Sequence, residues 1–393
     1  MSVLEGIRVL DFGRYIAGPC CATLLGDFGA EVIRVEKVDG SEDRFTAPIA
    51  EGGEGCLFLQ LARNKQGLTL NPMKPEGKEV LARLVATADV VLANLPFETL
   101  EAMGLDYESL KAIKPDIISV TPSAFGSVGP YASKVGFDGV GQAMSGNMHL
   151  TGHAGEPMKS WAPYVDFTTA ILMAFGTMMA LRERDKSGRG QQVEGSLLGS
   201  ALWVGNAWLM EQAALGVDRV GSHNRGQGGG PADTFATKDG WVLVHVVGRP
   251  LFERWARLMG EDHWLEDSRF EGDQDRGDNG AALSERMAPW CAERTTAEVL
   301  AEMEKARIPA APILSPQQTL DDPHVNAVGY LQESDYPGLK GPAPVADTPV
   351  KLSATPGSIQ RRAPTLGEHT DGVLESLGYS ATEIAGLREK RVV

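Results

Sequence analysis

The sequence lacks the motifs that mark several common classes of protein. Its four cysteines form no CxxC pair, which argues against a metal cluster held by paired cysteines. The first strand–helix turn reads DFGRYIAGP rather than GxGxxG, so a tight dinucleotide-binding turn is missing. No glycine run precedes Lys-Ser or Lys-Thr, and no GxSxG motif is present, which argues against P-loop and α/β-hydrolase chemistry. We therefore expect no metal and no permanently bound cofactor.

Positive charge is also scarce. The chain has 37 Lys and Arg against 52 Asp and Glu, a formal net charge of −15. Binding to nucleic acid or to an anionic membrane needs broad basic surfaces, so neither partner is expected. A local basic pocket for an anionic ligand is still compatible with this charge.

Targeting and membrane signals are weak. The start, MSVLEGIRVLDF, lacks the basic region and the long apolar run of a signal peptide. The apolar stretch 166–181 is slightly short for a bilayer span and contains Asp166. We therefore expect a cytoplasmic protein.

What the first third does contain is an alternation of apolar runs and helical patterns. Short apolar runs predict buried strands, and the helical segments between them predict crossovers between parallel strands. The pattern is typical of an α/β fold with a doubly wound parallel sheet. The predicted strands include IRVLDF (7–12), EVIRVE (31–36), LFLQL, GLTLN (67–71), DVVLANL (89–95) and DIISVTPSAF (116–125).

A linker and a second domain follow. In a helix over 166–184, apolar residues would lie on all sides, which predicts a buried helix. The segment 188–215 contains a second long helix. The linker candidate is SHNRGQGGGPAD (222–233), and TFATKDGWVLVHVV after it predicts a hairpin turning at Asp239-Gly240. We predict a large domain over 1–221, a linker and small α+β domain over 222–325, and a return to the large domain over 326–393.

Asp166 is the candidate for chemistry. It stands alone in WAPYVDFTTA, with no further charge until Arg182. One interpretation is a helix N-cap whose carboxylate accepts N–H bonds from Thr168 or Thr169. The other is a poorly solvated nucleophile whose acyl products are protected from water. The nearby helix N-terminus would favour its ionised form, and the two roles are compatible.

The glycine run Gly228-Gly229-Gly230 has two interpretations. A flexible hinge between domains is one. A mobile cover whose backbone approaches a ligand closely is the other.

Several stretches resemble the family III CoA-transferases of the CaiB/BaiF type, including the formyl-CoA transferases. The resemblance extends almost from end to end. It is found in LEGIRVLDFGRYIAGPCCATLLGDFGAEVIRVEKVDG, ARNKQGLTLN, ADVVLANL, GFDGVGQAMSGNMHLTG, VDFTTAILMAFGTMMALRERDKSGRGQQVEGSLL and RIPAAPILSPQQTLDDPHV.

The resemblance implies a Rossmann-like large domain with a smaller inserted α+β domain, and two ring-shaped subunits interlocked in a homodimer. It implies transfer of CoA from an acyl-CoA donor to a small carboxylic acid, with Asp166 as the catalytic residue. CoA and acyl-CoA are then substrates, and no permanent cofactor is implied. The glycine run resembles the loop that covers this aspartate in formyl-CoA transferases.

The same resemblance implies the CoA contacts. Ile16 and Ala17 would face the pantetheine and the thioester. Lys37 would bind the nucleotide phosphates as a point charge, not as a fork. Lys65, Leu70, Asn94 and Leu95 would line the adenosine region, and Lys65, Lys134 and Arg44 are further phosphate candidates. A solvated surface charge is the alternative for each of these lysines.

Two other functions stay open within the family. The α-methylacyl-CoA racemases pair the aspartate with a histidine, and here Phe137 stands at that position in GFDGVGQ. Phenylalanine does not shuttle protons, which favours transfer, with Phe137 facing the substrate. His149 or His153 would have to serve as the base in a racemase. A CoA-binding protein without catalysis would be expected to lack Asp166.

Overall fold

A computed structural model describes residues 2–393. Most of the strands in this part of the chain are short. In chain order they are β1 (Arg8–Asp11), β2 (Glu31–Glu36), β3 (Lys65–Thr69), β4 (Val90–Leu92), β5 (Ile118–Ser123), β6 (Gly152–His153), β7 (Glu156–Pro157), β8 (Gln192–Ser196), β9 (Ala232–Ala236), β10 (Trp241–His245), β11 (Ala310–Pro312), β12 (Leu331–Ser334) and β13 (Ala343–Ala346).

The helices differ widely in length. In chain order they are α1 (Ala17–Asp27), α2 (Cys56–Leu61), α3 (Pro75–Thr87), α4 (Phe97–Met103), α5 (Tyr107–Ile113), α6 (Asp138–Met144), α7 (Asn147–Leu150), α8 (Tyr164–Ser187), α9 (Leu197–Leu215), α10 (Arg249–Met259), α11 (Asp273–Asp278), α12 (Gly280–Ala292), α13 (Thr296–Lys305), α14 (Pro316–Asp321), α15 (Pro323–Val328), α16 (Thr370–Ser376) and α17 (Ala381–Glu389).

The main sheet has six parallel strands in the order β3-β2-β1-β4-β5-β8. Val9 of β1 pairs with Val32 on one side and with Val90 on the other. The order reverses between β1 and β4. This is the strand order of a doubly wound fold, in which ligands bind outside the carboxyl ends of the strands at the reversal. The predicted α/β fold with a large parallel sheet is confirmed.

Both faces of this sheet are buried, because successive side chains of a strand point to opposite faces. Val9 packs with α1 and α8, in a cluster that contains Cys21 and Ala170. Leu10 packs in a second cluster with α3 and with the C-terminal helices α16 and α17. The C-terminal helices α16 and α17 therefore help to cover one face of a sheet whose strands all lie within residues 8–196.

The chain divides into two compact units. The first contains the chain up to Ser145, Trp161–Ala207 and His324–Val393. The second contains Gly146–Ser160 and Trp208–Pro323, and its core includes Trp255 and Phe252. Its sheet has the order β11-β10-β9, and β9–β10 is the predicted hairpin. The domain ranges 1–221, 222–325 and 326–393 stay a prediction, and these units have other boundaries.

Two local predictions, the strand at LFLQL and the fully buried helix α8, were wrong. LFLQL is part of helix α2, because an apolar run this short does not distinguish strand from helix. The long helix predicted within 188–215 is confirmed as α9, although strand β8 precedes it and the helix begins only at Leu197. Helix α8 is buried on one side only, since Ile171 and Phe175 are 56% and 63% exposed.

Helix α8 is long and apolar enough to cross a membrane by length and composition alone. Its buried side, however, packs against α1 and the main sheet, through Ala170, Met173 and Leu181. The core helix of a globular protein satisfies the same length and composition test.

Candidate active site

Asp166 lies in the first turn of α8, and its side chain does not cap this helix. The helix is preceded by Pro163, which offers no side-chain cap. The carboxylate of Asp138 takes that role, because its Oδ2 accepts the N–H groups of Val165 at 2.8 Å and of Asp166 at 3.2 Å. No residue of the described chain donates a hydrogen bond to the Asp166 carboxylate. The N-cap interpretation of Asp166 is therefore wrong, and its oxygens stay available for chemistry.

Burial and like charge control the ionisation of Asp166. Its side chain is 8% exposed. Burial, and then the nearby Asp138 carboxylate, raises its pKa to about 7. We expected the helix N-terminus to favour the ionised form. That effect is outweighed, because Asp138 already occupies the N–H groups that would stabilise the charge.

Asp138 was not predicted from the sequence, and its two carboxylate oxygens accept hydrogen bonds from different helices, α6 and α8. Gln142, one turn further along α6, donates from Nε2 to Asp138 Oδ1. Gly141 permits the close approach of α6 to α8, since a Cβ there would lie 2.8 Å from Val165 Cγ1. The acid–Gln spacing in GFDGVGQ was the available signal, but the acceptor role depends on a helix distant in sequence.

The loop between β1 and α1 meets α6 and α8 beside this carboxylate. Ala17 belongs to the same small buried cluster as Val165, the neighbour of Asp166. The ring of Tyr15 stands edge-on to that of Phe137 with centroids 5.2 Å apart, and Phe137 is 62% exposed. Ile16 is buried. The structure thus brings four predicted residues, Ile16, Ala17, Phe137 and Asp166, into one region.

A cavity of about 580 Å³ opens at the carboxyl ends of β1 to β4. Three predicted CoA residues, Lys37, Leu70 and Leu95, line it. Its lining includes basic groups that a phosphate ligand could use, and also the acids Glu36, Asp39 and Glu42, of which Glu42 pairs with Lys37 and Asp39 with Arg391. The basic groups are Arg14, Lys37, Lys74 and Arg391. Arg14, Lys74 and Arg391 are not among the residues predicted from the sequence.

Lys65 and Arg44 are unavailable for phosphate binding, which corrects their predicted role. Lys65 is 1% exposed, and its Nζ donates to Asp11 Oδ2 at 2.8 Å and to the Pro19 carbonyl at 2.7 Å. Arg44 is fully buried and bound to Glu36 at 2.6 Å. Both cations are neutralised inside the protein.

Asn94 and Lys134 also lie outside the lining of the cavity. The Asn94 amide is occupied by the backbone of Arg14, through bonds of 2.6 and 2.8 Å. Lys134 is exposed, with its Nζ 4.0 Å from the centre of the Tyr131 ring. Its role in CoA binding stays a prediction.

The glycine run belongs to the second unit. Gly228 is exposed, whereas Gly229 and Gly230 are buried. A Cβ at Gly230 would lie 2.9 Å from Leu283 Cδ1, so this glycine is needed for close packing. The hinge and cover interpretations both stay predictions.

The features above define a general class, an α/β protein with a candidate carboxylate nucleophile at the start of a core helix. The chain belongs to CoA-transferase family III, whose model matches residues 4–370. It is a family III CoA-transferase, as the resemblance predicted.

Similar proteins cover almost the whole chain. A succinyl-CoA–D-citramalate CoA-transferase of Chloroflexus aurantiacus is 34% identical over 99% of this chain and 98% of its own. The β subunit of a succinyl-CoA–L-malate CoA-transferase from the same organism is 36% identical with equal coverage. A formyl-CoA:oxalate CoA-transferase of Bradyrhizobium diazoefficiens is 30% identical over 99% of this chain and 96% of its own.

Solved structures agree with this assignment. A CAIB/BAIF family protein from Brucella suis superposes with a TM-score of 0.83 at 31% identity, over 96% of this chain and 99% of that protein. Rv3272 from Mycobacterium tuberculosis superposes with a TM-score of 0.80 at 27% identity, over 95% and 99% of the two chains.

Proposed function

We propose that this protein moves CoA from an acyl-CoA donor to a small carboxylic acid through covalent intermediates on Asp166. The observation that supports Asp166 most directly is a buried carboxylate that receives no hydrogen bond from the described residues and whose neighbour, Asp138, does the capping. A carboxylate without donors is a stronger nucleophile than one that is hydrogen-bonded.

The proposed reaction conserves the thioester bond energy. A carboxylate oxygen of Asp166 attacks the donor thioester, the C–S bond breaks, and a mixed anhydride and CoA thiolate form. The thiolate attacks the aspartyl carbonyl, which releases the donor acid and leaves an aspartyl-CoA thioester. The acceptor carboxylate attacks that thioester and releases the thiolate again, which finally attacks the acceptor carbonyl and restores Asp166.

For the donor, we propose the cavity at the ends of β1 to β4 as the site of the CoA nucleotide. It has room for a nucleotide and is lined by Lys37 and Arg14 as well as the apolar Leu70 and Leu95. Because relatives are named for succinyl-CoA, we propose succinyl-CoA as the donor and a small dicarboxylic acid as the acceptor. A panel of acids, each incubated with succinyl-CoA and with acetyl-CoA, tests this; no exchange with any acid would contradict the function.

Racemisation is not favoured. The relatives described above are named as CoA-transferases, and Phe137 offers no proton-shuttling group beside Asp166. Deuterium uptake at the α-carbon of a 2-methylacyl-CoA would reverse this ranking.

The activity is expected to rise with pH around neutrality. Since the Asp166 pKa is about 7, the nucleophilic carboxylate increases as pH goes from 6 to 8. Asp138→Asn removes the like charge, so the midpoint of kcat/KM against pH should fall. Burial, the larger cause, remains, and an asparagine oxygen can still cap α8. A midpoint that stays in place or rises would show that Asp138 does not act on Asp166 through its charge.

We further propose a homodimer, interlocked as the family resemblance implies. Exposed apolar side chains on α8 and α9 support it, since monomeric proteins seldom leave such groups together in water. They are Ile171, Phe175, Met179, Leu202, Trp203 and Val204.

Sedimentation should give about twice the mass of one chain, and Phe175→Glu should shift the population towards single chains. Val128→Glu, at a loop position that is 82% exposed, is the control and should leave the mass unchanged. A wild-type protein that sediments as a single chain would contradict the homodimer.

A further inference from the structure

The loop from Phe12 to Ala17 has a backbone conformation that its own sequence does not favour. Tyr15 has a φ of +61°, in the left-handed region that residues with a Cβ seldom occupy. Such a conformation persists only where surrounding groups impose it, and it is concentrated at functional sites. The groups that impose it here are Asn94 and a buried ion pair.

Asn94 holds the residue immediately before Tyr15. Its Oδ1 accepts the N–H of Arg14 at 2.6 Å, and its Nδ2 donates to the carbonyl of Arg14 at 2.8 Å. One side chain thus fixes both backbone polar groups of a loop residue. The Arg14 guanidinium adds bonds to the carbonyls of Phe12 and Gly13, at 2.9 and 2.8 Å.

The Lys65–Asp11 ion pair holds the start of the same loop and the helix that follows it. Asp11 Oδ1 accepts the N–H of Gly13 at 2.8 Å, and Lys65 Nζ donates to the carbonyl of Pro19 at 2.7 Å. The turn is tight, because a Cβ at Gly13 would lie 2.7 Å from Asp11 Oδ1 and 2.7 Å from Pro19 Cδ. Lys65 therefore links Asp11, at the end of β1, to the first turn of α1.

The side chains that this loop presents are next to the reactive carboxylate. Tyr15 stands against Phe137, which precedes Asp138, and Ala17 shares a small buried cluster with Val165, which precedes Asp166. A shift of the loop would move the wall beside Asp166. Reactions that depend on the approach of two groups lose rate steeply when one wall of the site is displaced.

We propose that Asn94 and the Lys65–Asp11 pair are positioning residues, which hold the loop from Phe12 to Ala17 in the shape that sets the acyl-CoA thioester against Asp166. This role rests on the acyl transfer proposed above. It replaces the direct CoA contacts that the sequence suggested for Asn94 and Lys65.

Asn94→Leu tests the role, because leucine has a similar shape and makes neither hydrogen bond. We expect kcat/KM for the acyl-CoA donor to fall about tenfold or more, with KM for the acceptor acid unchanged. The rate at which hydroxylamine captures the acylated enzyme should fall in parallel. Asn94→Asp keeps the acceptor for the Arg14 N–H and should give an intermediate rate.

Gln66→Leu is the matched control. Gln66 is half-buried on β3, beside Lys65, and its Nε2 donates to Glu31 at 3.3 Å, remote from the loop. It should show wild-type kinetics and a Tm similar to that of Asn94→Leu. Wild-type kcat/KM in Asn94→Leu, or equal losses in both variants, would overturn the positioning role. If Asn94→Leu does not fold, an unchanged kcat/KM in Asn94→Asp would overturn it.

The two proposals fail in different ways. Exchange that persists in Asp166→Ala contradicts the acyl-transfer chemistry itself. Exchange that requires Asp166 but is unaffected by Asn94→Leu contradicts only the positioning role.

Discussion

Asp166→Ala should lower CoA exchange between an acyl-CoA and an acid by at least about 10⁴-fold, because the proposed nucleophile is removed. The fold should survive, since the capping of α8 depends on Asp138 and not on Asp166. The measurement is the initial rate of acyl-CoA formation from the acceptor acid. Far-UV circular dichroism and Tm verify folding.

A chemical trap identifies the attacked atom independently. With an acyl-CoA supplied, hydroxylamine or borohydride should modify the wild-type enzyme at Asp166, as located by mass spectrometry of peptides. Asp166→Asn, which keeps the shape without the charge, should give no adduct. An adduct on another residue, or near-normal exchange in Asp166→Ala, would refute the assignment of the nucleophile.

Asp166→Asn also has an expected effect on stability. The folded-state pKa is about 7, above the ordinary aspartate value of 3.8, so the folded protein holds this proton more tightly than the unfolded chain. The stability contribution of the protonated form is complete below pH about 4 and decreases as pH rises to about 7. At pH 8 the asparagine variant should therefore unfold at a higher temperature than the wild type, and the difference should shrink at pH 5.

Lys65→Met should cost about 3–5 kcal/mol of unfolding free energy, the usual cost of removing one partner of a buried ion pair. Burial alone would raise the Asp11 pKa, but the charges of Lys65 and Arg34 outweigh it, and the pKa of Asp11 is lowered. Without Lys65 the Asp11 carboxylate loses its closest cation, and the Pro19 carbonyl loses a donor. Urea unfolding monitored by fluorescence measures the loss.

Lys37→Met provides the matched comparison. The Lys37 side chain is 60% exposed and pairs with Glu42 at the surface, so its loss should change stability little. It lines the proposed nucleotide cavity, and KM for the acyl-CoA should rise several-fold. If Lys65→Met instead raised KM with unchanged stability, Lys65 would be a phosphate ligand and its structural role would be wrong.

The sequence predicted the doubly wound sheet because each strand has its own local signal. EVIRVE coincides with β2, and the helix after Pro75 begins where its first-turn proline indicates. The family resemblance indicated Asp166 as the catalytic residue in the same way, from the residues next to it in the sequence. Local sequence was sufficient wherever the relevant interaction was also local.

The residues whose roles the sequence did not predict take those roles through contacts between distant segments of the chain. Lys65 stands on a strand, and nothing in KQGLT shows whether its ammonium points to solvent or to Asp11, 54 residues earlier. Asp138 becomes a helix cap only when α6 meets α8. An acid that ends an apolar strand, as Asp11 does, is the one local sign that a buried cation should be sought.

The capping arrangement at α8 affects the covalent intermediates as well as the free enzyme. In the proposed reaction, acylation of Asp166, as an anhydride or as a thioester, removes the negative charge of its side chain. The burial and the Asp138 carboxylate that resist ionisation of Asp166 then favour the acylated forms over the free carboxylate. Hydrolysis would restore a charge in a place that disfavours it. In the proposed reaction, electrostatic energy therefore protects the covalent intermediates from hydrolysis.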